Sequence, residues 1–414
     1  MNKKKLIIVI MGVMVVTTTF VVVYSAVEVP SILSSTMDVD KKVAAFYYGW
    51  YGNTTDYSQA SPYLVEDNNA WWHWDNYQRS WYPPANACSV NTPEQGWYDS
   101  SDPSLIQTHL EQAEWAGLDA FVISYWGYGG KERKNMKIMM DVAKDINSSV
   151  KLAPYFEIFM VAQEGRTHEE IVSHFTSELS QLYDFLMQED YRSQIWFEND
   201  KPVVWVYVVQ AVSVEVWVEV MDNLQVENKS FFIVADRPSR NAEQNVFFQA
   251  QHQYDVYAPI RDRRYFDVFY SMKKRSRKYD QIFVAGVAPA YNDTVVRDGN
   301  IPVGRDGGQF YKNRWNDALS LQPDWISITS WNEWHEGTEI EPSKEDGNLA
   351  LQQTQQFINE FKSGSYSQLS PSTPSKVLWY VWNEFYYVLI GGWTILAVMT
   401  IVSFCKLPVS SKNL

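Results

Sequence analysis

Between Ser330 and Ser343 the chain reads SWNEWHEGTEIEPS, which places Asn332, Glu333, His335, Glu336, Glu339 and Glu341 directly behind an apolar run. Hydrolysis of a glycosidic bond uses two carboxyl groups with separate tasks. One gives a proton to the leaving oxygen and the other acts as base or nucleophile. Glu333 and Glu336 can supply that pair. Trp331 and Trp334 offer flat apolar faces of the kind that pack on the C–H faces of sugar rings, which distinguishes the segment from an acidic loop that is merely solvated.

Other chemistries lack their spacing. His168 and His174 are six apart in HEEIVSH where a zinc-protease helix needs four, and HEGTE from His335 has no second histidine. No glycine-rich phosphate loop stands behind a strand, and no G-x-S-x-G elbow is present. No metal and no cofactor are therefore expected. His109, in SLIQTHLEQAEW, reads as a packed helical residue, whereas His73 stands among Trp71, Trp72 and Trp74 in a long loop and reads as a cleft residue.

The elements that must position these groups alternate short β-branched or aromatic runs with longer amphipathic ones. Candidate strands begin at Val43, Leu118, Lys151, Pro202, Phe231, Tyr254, Ile282 and Trp325, and helices are expected at Ser104–Ala116, Glu132–Ile146, Glu169–Met187, Phe266–Tyr279, Gln309–Leu321 and Asn348–Phe361. Eight βα units predict an α/β fold, a single (β/α)8 TIM barrel with extended βα loops over residues 43–362. Its active site lies at the C-terminal ends of the strands. Those ends carry Tyr47, Tyr48, Trp50 and Tyr51 after the first strand, Tyr125 and Trp126 after the second, Glu157 in the third, Asp236 after the fifth, and Trp331 to Glu341 after the eighth.

The rest of the chain bounds the setting. Of 414 residues, 46% are hydrophobic and 20% charged, which excludes a disordered or fibrous chain. A net charge of −14 argues against nucleic acid as a partner. The 18 Trp, 26 Tyr and 20 Phe exceed what a core alone needs and point to a ring-shaped ligand. Lys3 to Lys5 followed by an uncharged run from Leu6 to Tyr24 read as a signal peptide or signal anchor over 1–26. A Ser/Pro-rich stalk at 363–376 precedes a membrane helix with an aromatic belt at 377–405 and a short basic tail at 406–414, expected to be cytoplasmic. Sequons begin at Asn53, Asn147, Asn228 and Asn292. The expected arrangement is a barrel on the extracellular or lumenal side, tethered to the membrane by the C-terminal helix, with both termini cytoplasmic if the N-terminal segment is retained.

Taken together, FYYGWYGN at 46–53, HW at 73–74, YDSSDP at 98–103, AGLDAFVISYWG at 116–127, VAPAYNDT at 287–294 and ITSWNEWHEGTEIEPS at 328–343 resemble glycoside hydrolase family 99, the endo-α-1,2-mannosidase and mannanase family. The resemblance implies a glycan substrate. It implies Glu336 as general acid and Glu333 as the base that deprotonates the substrate's own 2-hydroxyl, giving a 1,2-anhydro sugar that water then opens with net retention. It further implies that Tyr47, Tyr48, Trp126 and Tyr291 shape the sugar subsite, and Trp50, His73, Tyr155, Asn332, Trp334 and His335 are further candidates for binding substrate. Two departures stand out. The family's Glu-Pro-Tyr on the third strand is met by Ala153-Pro154-Tyr155, leaving the role of Glu157 to be set by strand register. The family's glycine-rich segment before the seventh strand is replaced by YAPIRDRRYFDVF. A carbohydrate-binding surface protein on the same barrel, without turnover, is the alternative that these changes suggest, and a transglycosylase using the same acids is a third.

Overall fold

The structure, a computed structural model, describes residues 31–52, 73–74, 87–238, 246–258, 265–298 and 300–365. The account that follows concerns the unit Thr36–Leu369. The expected signal segment, nearly all of the stalk, the membrane helix and the tail lie outside the described residues. Among the described residues no helix is long and apolar enough to cross a membrane.

Eight parallel strands close into a barrel: β1 (Lys42–Tyr47), β2 (Ala120–Tyr125), β3 (Lys151–Glu157), β5 (Lys201–Tyr207), β6 (Phe232–Asp236), β7 (Ala250–His252), β8 (Ile282–Val287) and β9 (Trp325–Ile328). Pairing of β1 with β9, at Ala44 opposite Ser327, closes the ring, and β4 (Phe197–Glu198) adds a short antiparallel edge to β5. Around the ring run α1 (Pro103–Ala116), α2 (Lys131–Asp145), α3 (His168–Leu186), α4 (Val214–Val226), α5 (Tyr265–Lys278), α6 (Gln309–Leu319) and α7 (Leu349–Ser363). Helix starts follow local chemistry. Asp102 caps α1 through the Ser104 amide ahead of Pro103, and Thr167 with Glu170 forms a capping box on α3.

The strands are buried on both faces, so their alternation is hidden in the sequence and appears only in the packing. Ala44, Phe46 and Tyr48, Ala153 and Tyr155, Val203 and Trp205, and Trp325 fill the barrel interior. Phe156, between two inward residues of β3, stacks instead on Phe175 of α3 at 5.4 Å. Period two then turns Glu157 inward, one layer above Tyr155, at the mouth.

One expected strand is displaced. The sixth barrel strand is Ala250–His252, not the run from Tyr254, because its three residues carry Gln251 and His252 and lack the β-branched signature. Tyr254 and Val256, which do carry that signature, are buried in the connection that follows.

Candidate active site

The segment after β9 folds as a tight excursion that returns on itself. The Ser330 amide donates to the Thr338 carbonyl at 2.9 Å, and the Glu341 amide to the Trp331 carbonyl at 2.9 Å. The Trp331 amide ties its root to the Phe46 carbonyl of β1 at 2.7 Å. Gly337 has φ +61, and a Cβ there would lie 3.1 Å from the Asn292 carbonyl oxygen, so glycine is required where the turn crosses the loop after β8.

Asn332 locks the turn to the end of β1, its side chain accepting from the Tyr48 amide at 2.7 Å and donating to the Tyr48 carbonyl at 2.9 Å. Glu339 is paired with Arg305 and accepts from Asn91 Nδ2 at 2.7 Å. Glu341 lies 3.0 Å from His109 Nε2 and accepts from the Tyr98 hydroxyl at 2.8 Å and from Trp334 Nε1 at 3.1 Å. Two of the four acids therefore hold the loop down.

The other two face the cleft. Glu333 is 4% exposed, and burial together with the neighbouring Glu336 charge holds its pKa well above the carboxylate range. Glu336 is also raised by burial, opposed by the Arg297 guanidinium, whose Nη1 is 3.0 Å from Glu336 Oε1. Burial on one turn disfavours ionising both carboxyls together, and both are held above the ordinary carboxylate range. His335 Nε2 lies 2.5 Å from the His73 carbonyl oxygen and donates to it, which leaves Nδ1 as an acceptor 3.6 Å from Glu333 Oε1. Burial lowers the His335 pKa to about 4, so the ring is neutral at neutral pH.

Around these acids the mouth is aromatic. Trp50 stacks on His73, with ring centres 4.4 Å apart and planes at 5°, and meets Tyr48 at 4.5 Å with the rings tilted by 36°. The Tyr48 hydroxyl donates to that of Tyr254 at 2.6 Å. Glu157 accepts from the Ser124 hydroxyl at 3.1 Å, Ser124 in turn accepts from Trp126 Nε1 at 3.1 Å, and burial raises the Glu157 pKa to about 8. Glu157 is thus a neutral carboxylic acid at pH 7, able to donate a hydrogen bond. A cavity of about 360 Å³ opens beside Glu336, walled by Tyr207, Tyr254, Tyr257 and Tyr291 with Arg237 and Asp255.

Most of the expected residues meet here, and four are placed otherwise. Tyr47 points away from the cleft, its hydroxyl 3.1 Å from His109 Nδ1 behind β1, because it alternates with the inward Phe46 and Tyr48. Trp334 is fully buried under the turn, bonded to Tyr98 and Glu341, and presents no face to a ligand. Asn332 is fully buried and spends its amide on the Tyr48 backbone. Tyr155 lies one layer below the mouth. Conversely, Glu157 stands at the mouth where the Ala153 alignment leaves none. Asp236 braces the rim by accepting from the amides of Val208 at 3.1 Å and Tyr254 at 2.7 Å. Tyr254 and Arg297 sit in no spacing that announces chemistry, and strand register is the signal that brings Glu157 to the mouth. Among the described residues no group of three or more His, Cys, Asp or Glu is placed to hold a metal.

A parallel (β/α)8 barrel with two buried, close carboxyls and an aromatic rim at the C-terminal ends of its strands is the architecture of a glycoside hydrolase. The model of glycosyl hydrolase family 99 matches residues 38–232 and 262–358, and the chain belongs to that family. It is an endo-α-mannosidase-like glycoside hydrolase. Among its relatives, the glycoprotein endo-alpha-1,2-mannosidase of Rattus norvegicus is 26% identical over 326 residues, 72% of this chain and 67% of that protein. A glycoprotein endo-alpha-1,2-mannosidase-like protein of Danio rerio is 27% identical over 323 residues, 72% of this chain and 70% of that one. The fold is similar to that of the GH99 endo-alpha-mannosidase from Bacteroides thetaiotaomicron, with a TM-score of 0.62 at 20% identity, over 78% of this chain and 98% of the other.

Proposed function

We propose that the protein is a membrane-tethered, retaining endo-glycosidase of α-mannosides or related glycans that works through participation of the substrate's 2-hydroxyl. One observation carries this reading: Glu333 and Glu336 sit on one turn at the cleft, both raised by burial, with the Glu336 charge raising Glu333 further and the Arg297 guanidinium opposing the shift at Glu336. Glu336 gives its proton to the leaving oxygen as the C1–O bond breaks. Glu333 takes the proton of the 2-hydroxyl, whose oxygen closes on C1. When water opens the anhydro ring, its proton passes to Glu336 and Glu333 returns its own to the 2-oxygen, so the enzyme ends as it began. A 2-hydroxyl is a weak nucleophile unless a positioned base relieves it of its proton, and a shared turn fixes both groups at no cost in entropy at the transition state. Trp50, His73, Trp126, Tyr48 and Tyr291 contribute the sugar-facing rim, and Glu157 in its protonated form donates to a sugar hydroxyl. The mannose preference is drawn from the relatives' names.

The test is incubation of the full-length protein with α-linked manno-oligosaccharides and glucosylated mannosides, following products by mass and anomeric NMR. Release of an α-configured sugar, lost in Glu336→Gln and Glu333→Gln, is expected; undiminished turnover in the double variant would falsify the assignment. The placement of the barrel outside the cytoplasm is tested by glycan occupancy. Asn147 and Asn228 are exposed, precede β3 and β6, and so lie at the end of the barrel away from the mouth. Expression in a secretory host is expected to give both an N-linked glycan, removed by an endoglycosidase with a shift in mass. Protease digestion of the barrel in sealed microsomes, whose cytoplasmic face is outward, would contradict the placement.

A further inference from the structure

Arg297 is half exposed, while its partners are not: the side chain of Asp293 is 1% and that of Glu336 16% accessible, against 52% for the arginine. Its Nη1 faces three oxygens, Glu336 Oε1 at 3.0 Å, Asp293 Oδ2 at 3.1 Å and the Tyr291 hydroxyl at 3.2 Å. One guanidinium nitrogen carries two hydrogens, so one of the three contacts is surplus. Asp293 is anchored independently, accepting from the Tyr291 hydroxyl at 2.9 Å and from Asn300 Nδ2 at 2.6 Å. The arginine can therefore leave Glu336 without losing its counter-charge. A long side chain reaching in from solvent is also the easiest part of this site to move.

We propose that Arg297 is a positioning residue that clamps Glu336 while the cleft is empty, yields it to the glycan's leaving oxygen, and keeps Asp293 as its second hold throughout. The inference rests on the reading of Glu336 as the proton donor. A guanidinium on Oε1 favours the carboxylate, whereas a donor must arrive at the leaving oxygen as the acid. Once the proton has gone, the same arginine is placed to receive the anion, so one residue opposes the first half of the reaction in the empty site and supports its product. Among the described residues, the charged and titratable groups facing Glu336 are Arg297, Asp255, Asp293, Glu333, Tyr48, Tyr207, Tyr254 and Tyr291. Of these Arg297 is the one cation in contact with it, and Asp293 is the anion that competes for that cation.

The test is the pH profile of kcat/KM, which reports the free enzyme, for full-length native protein and the variants Arg297→Gln, Arg297→Lys and Asp293→Asn. Arg297→Gln is expected to move both limbs to higher pH and to lower kcat about tenfold, the loss of one charge-assisted hydrogen bond to the departing anion. Asp293→Asn is expected to move the limbs the opposite way, since it removes an anion and frees the arginine for Glu336. Arg297→Lys keeps the charge and is expected to leave the limbs in place. Unmoved limbs in both Arg297→Gln and Asp293→Asn, with Glu336→Gln inactive, would overturn the clamp and leave the acid assignment standing. If Glu336→Gln stays active the assignment has failed instead, and the clamp is judged by carbon-13 NMR titration of the Glu336 carboxyl in the resting protein. Shifts of opposite sign in the two variants support it there, and none sinks it.

Discussion

The two halves of the turn after β9 are built from the same residue type and do opposite work. Glu339 and Glu341 have partners for their charge: Arg305 and Asn91 for the first, His109, Tyr98 and Trp334 for the second. Glu333 and Glu336 have each other, one arginine and an open cleft. Glu341 carries donors on both oxygens, and Glu339, raised by burial and with one oxygen lacking a partner, is matched by the Arg305 charge. What sets Glu333 and Glu336 apart is that they face the open cleft, where a proton can be passed. Four glutamates within one short segment thus separate into a pair that holds and a pair that reacts, by environment alone.

The sharpest way to break that comparison is to neutralise each pair in turn. Glu333→Gln and Glu336→Gln are each expected to lower kcat at least about a thousandfold, within the range for loss of a positioned acid or base. Their melting temperatures are expected to stay level or rise, because a buried charge-repelled carboxyl becomes a neutral amide. The paired acids should behave the other way. Arg305→Met strands the Glu339 charge in a dry site and is expected to cost about 3–5 kcal/mol in denaturant unfolding, while the fraction that remains folded keeps its kcat. If Arg305→Met loses turnover without losing stability, the division of labour along the turn is wrong.

How far the sequence could announce this division is clear from particular residues. The βα rhythm gave seven of the eight barrel strands near their observed places, because each carries a run of β-branched or aromatic residues. It failed at β7, whose three residues include two polar ones, and the apolar neighbours at Tyr254 and Val256 drew the reading past it. The acidic turn was legible from spacing. What each acid does was not, since His109, Arg305 and Asn91 are remote in sequence and meet it only in the closed barrel. Trp334 illustrates the same limit: an indole beside catalytic-type acids reads as a sugar platform, yet it is spent beneath the loop.

Glu157 sharpens the comparison from outside the turn, since it too is buried with a single described donor. Its pKa is about 8 in the folded protein against an ordinary 4.5. The folded state therefore keeps a proton that the unfolded chain gives up above pH 4.5, so stability falls as pH rises from there and levels off beyond 8. The contribution is at most about 5 kcal/mol across that window. Glu157→Gln is expected to flatten the fall in chemical-denaturation curves taken between pH 5 and 8. A slope identical to the native protein's would mean that Glu157 ionises normally and that the mouth is wetter than its packing implies.

The smallest expected effect tests the face assignment on which the rest depends. Tyr47 and Tyr48 are adjacent, and strand alternation sends them to opposite sides of β1, one to His109 behind the barrel and the other to Tyr254 at the mouth. Each loses one hydroxyl in a change to phenylalanine. Tyr47→Phe is expected to cost about 1 kcal/mol of stability, the worth of one buried hydrogen bond, and to leave kcat/KM within error. Tyr48→Phe removes a similar bond and should cost about as much stability, but it is expected to lower kcat/KM several-fold because its partner Tyr254 lines the cavity beside Glu336. Thermal unfolding and steady-state kinetics on the two variants read the two quantities separately. Equal kinetic loss in both would show that the back of β1 communicates with the cleft through His109 and Glu341, and the holding pair would then belong to the reacting one.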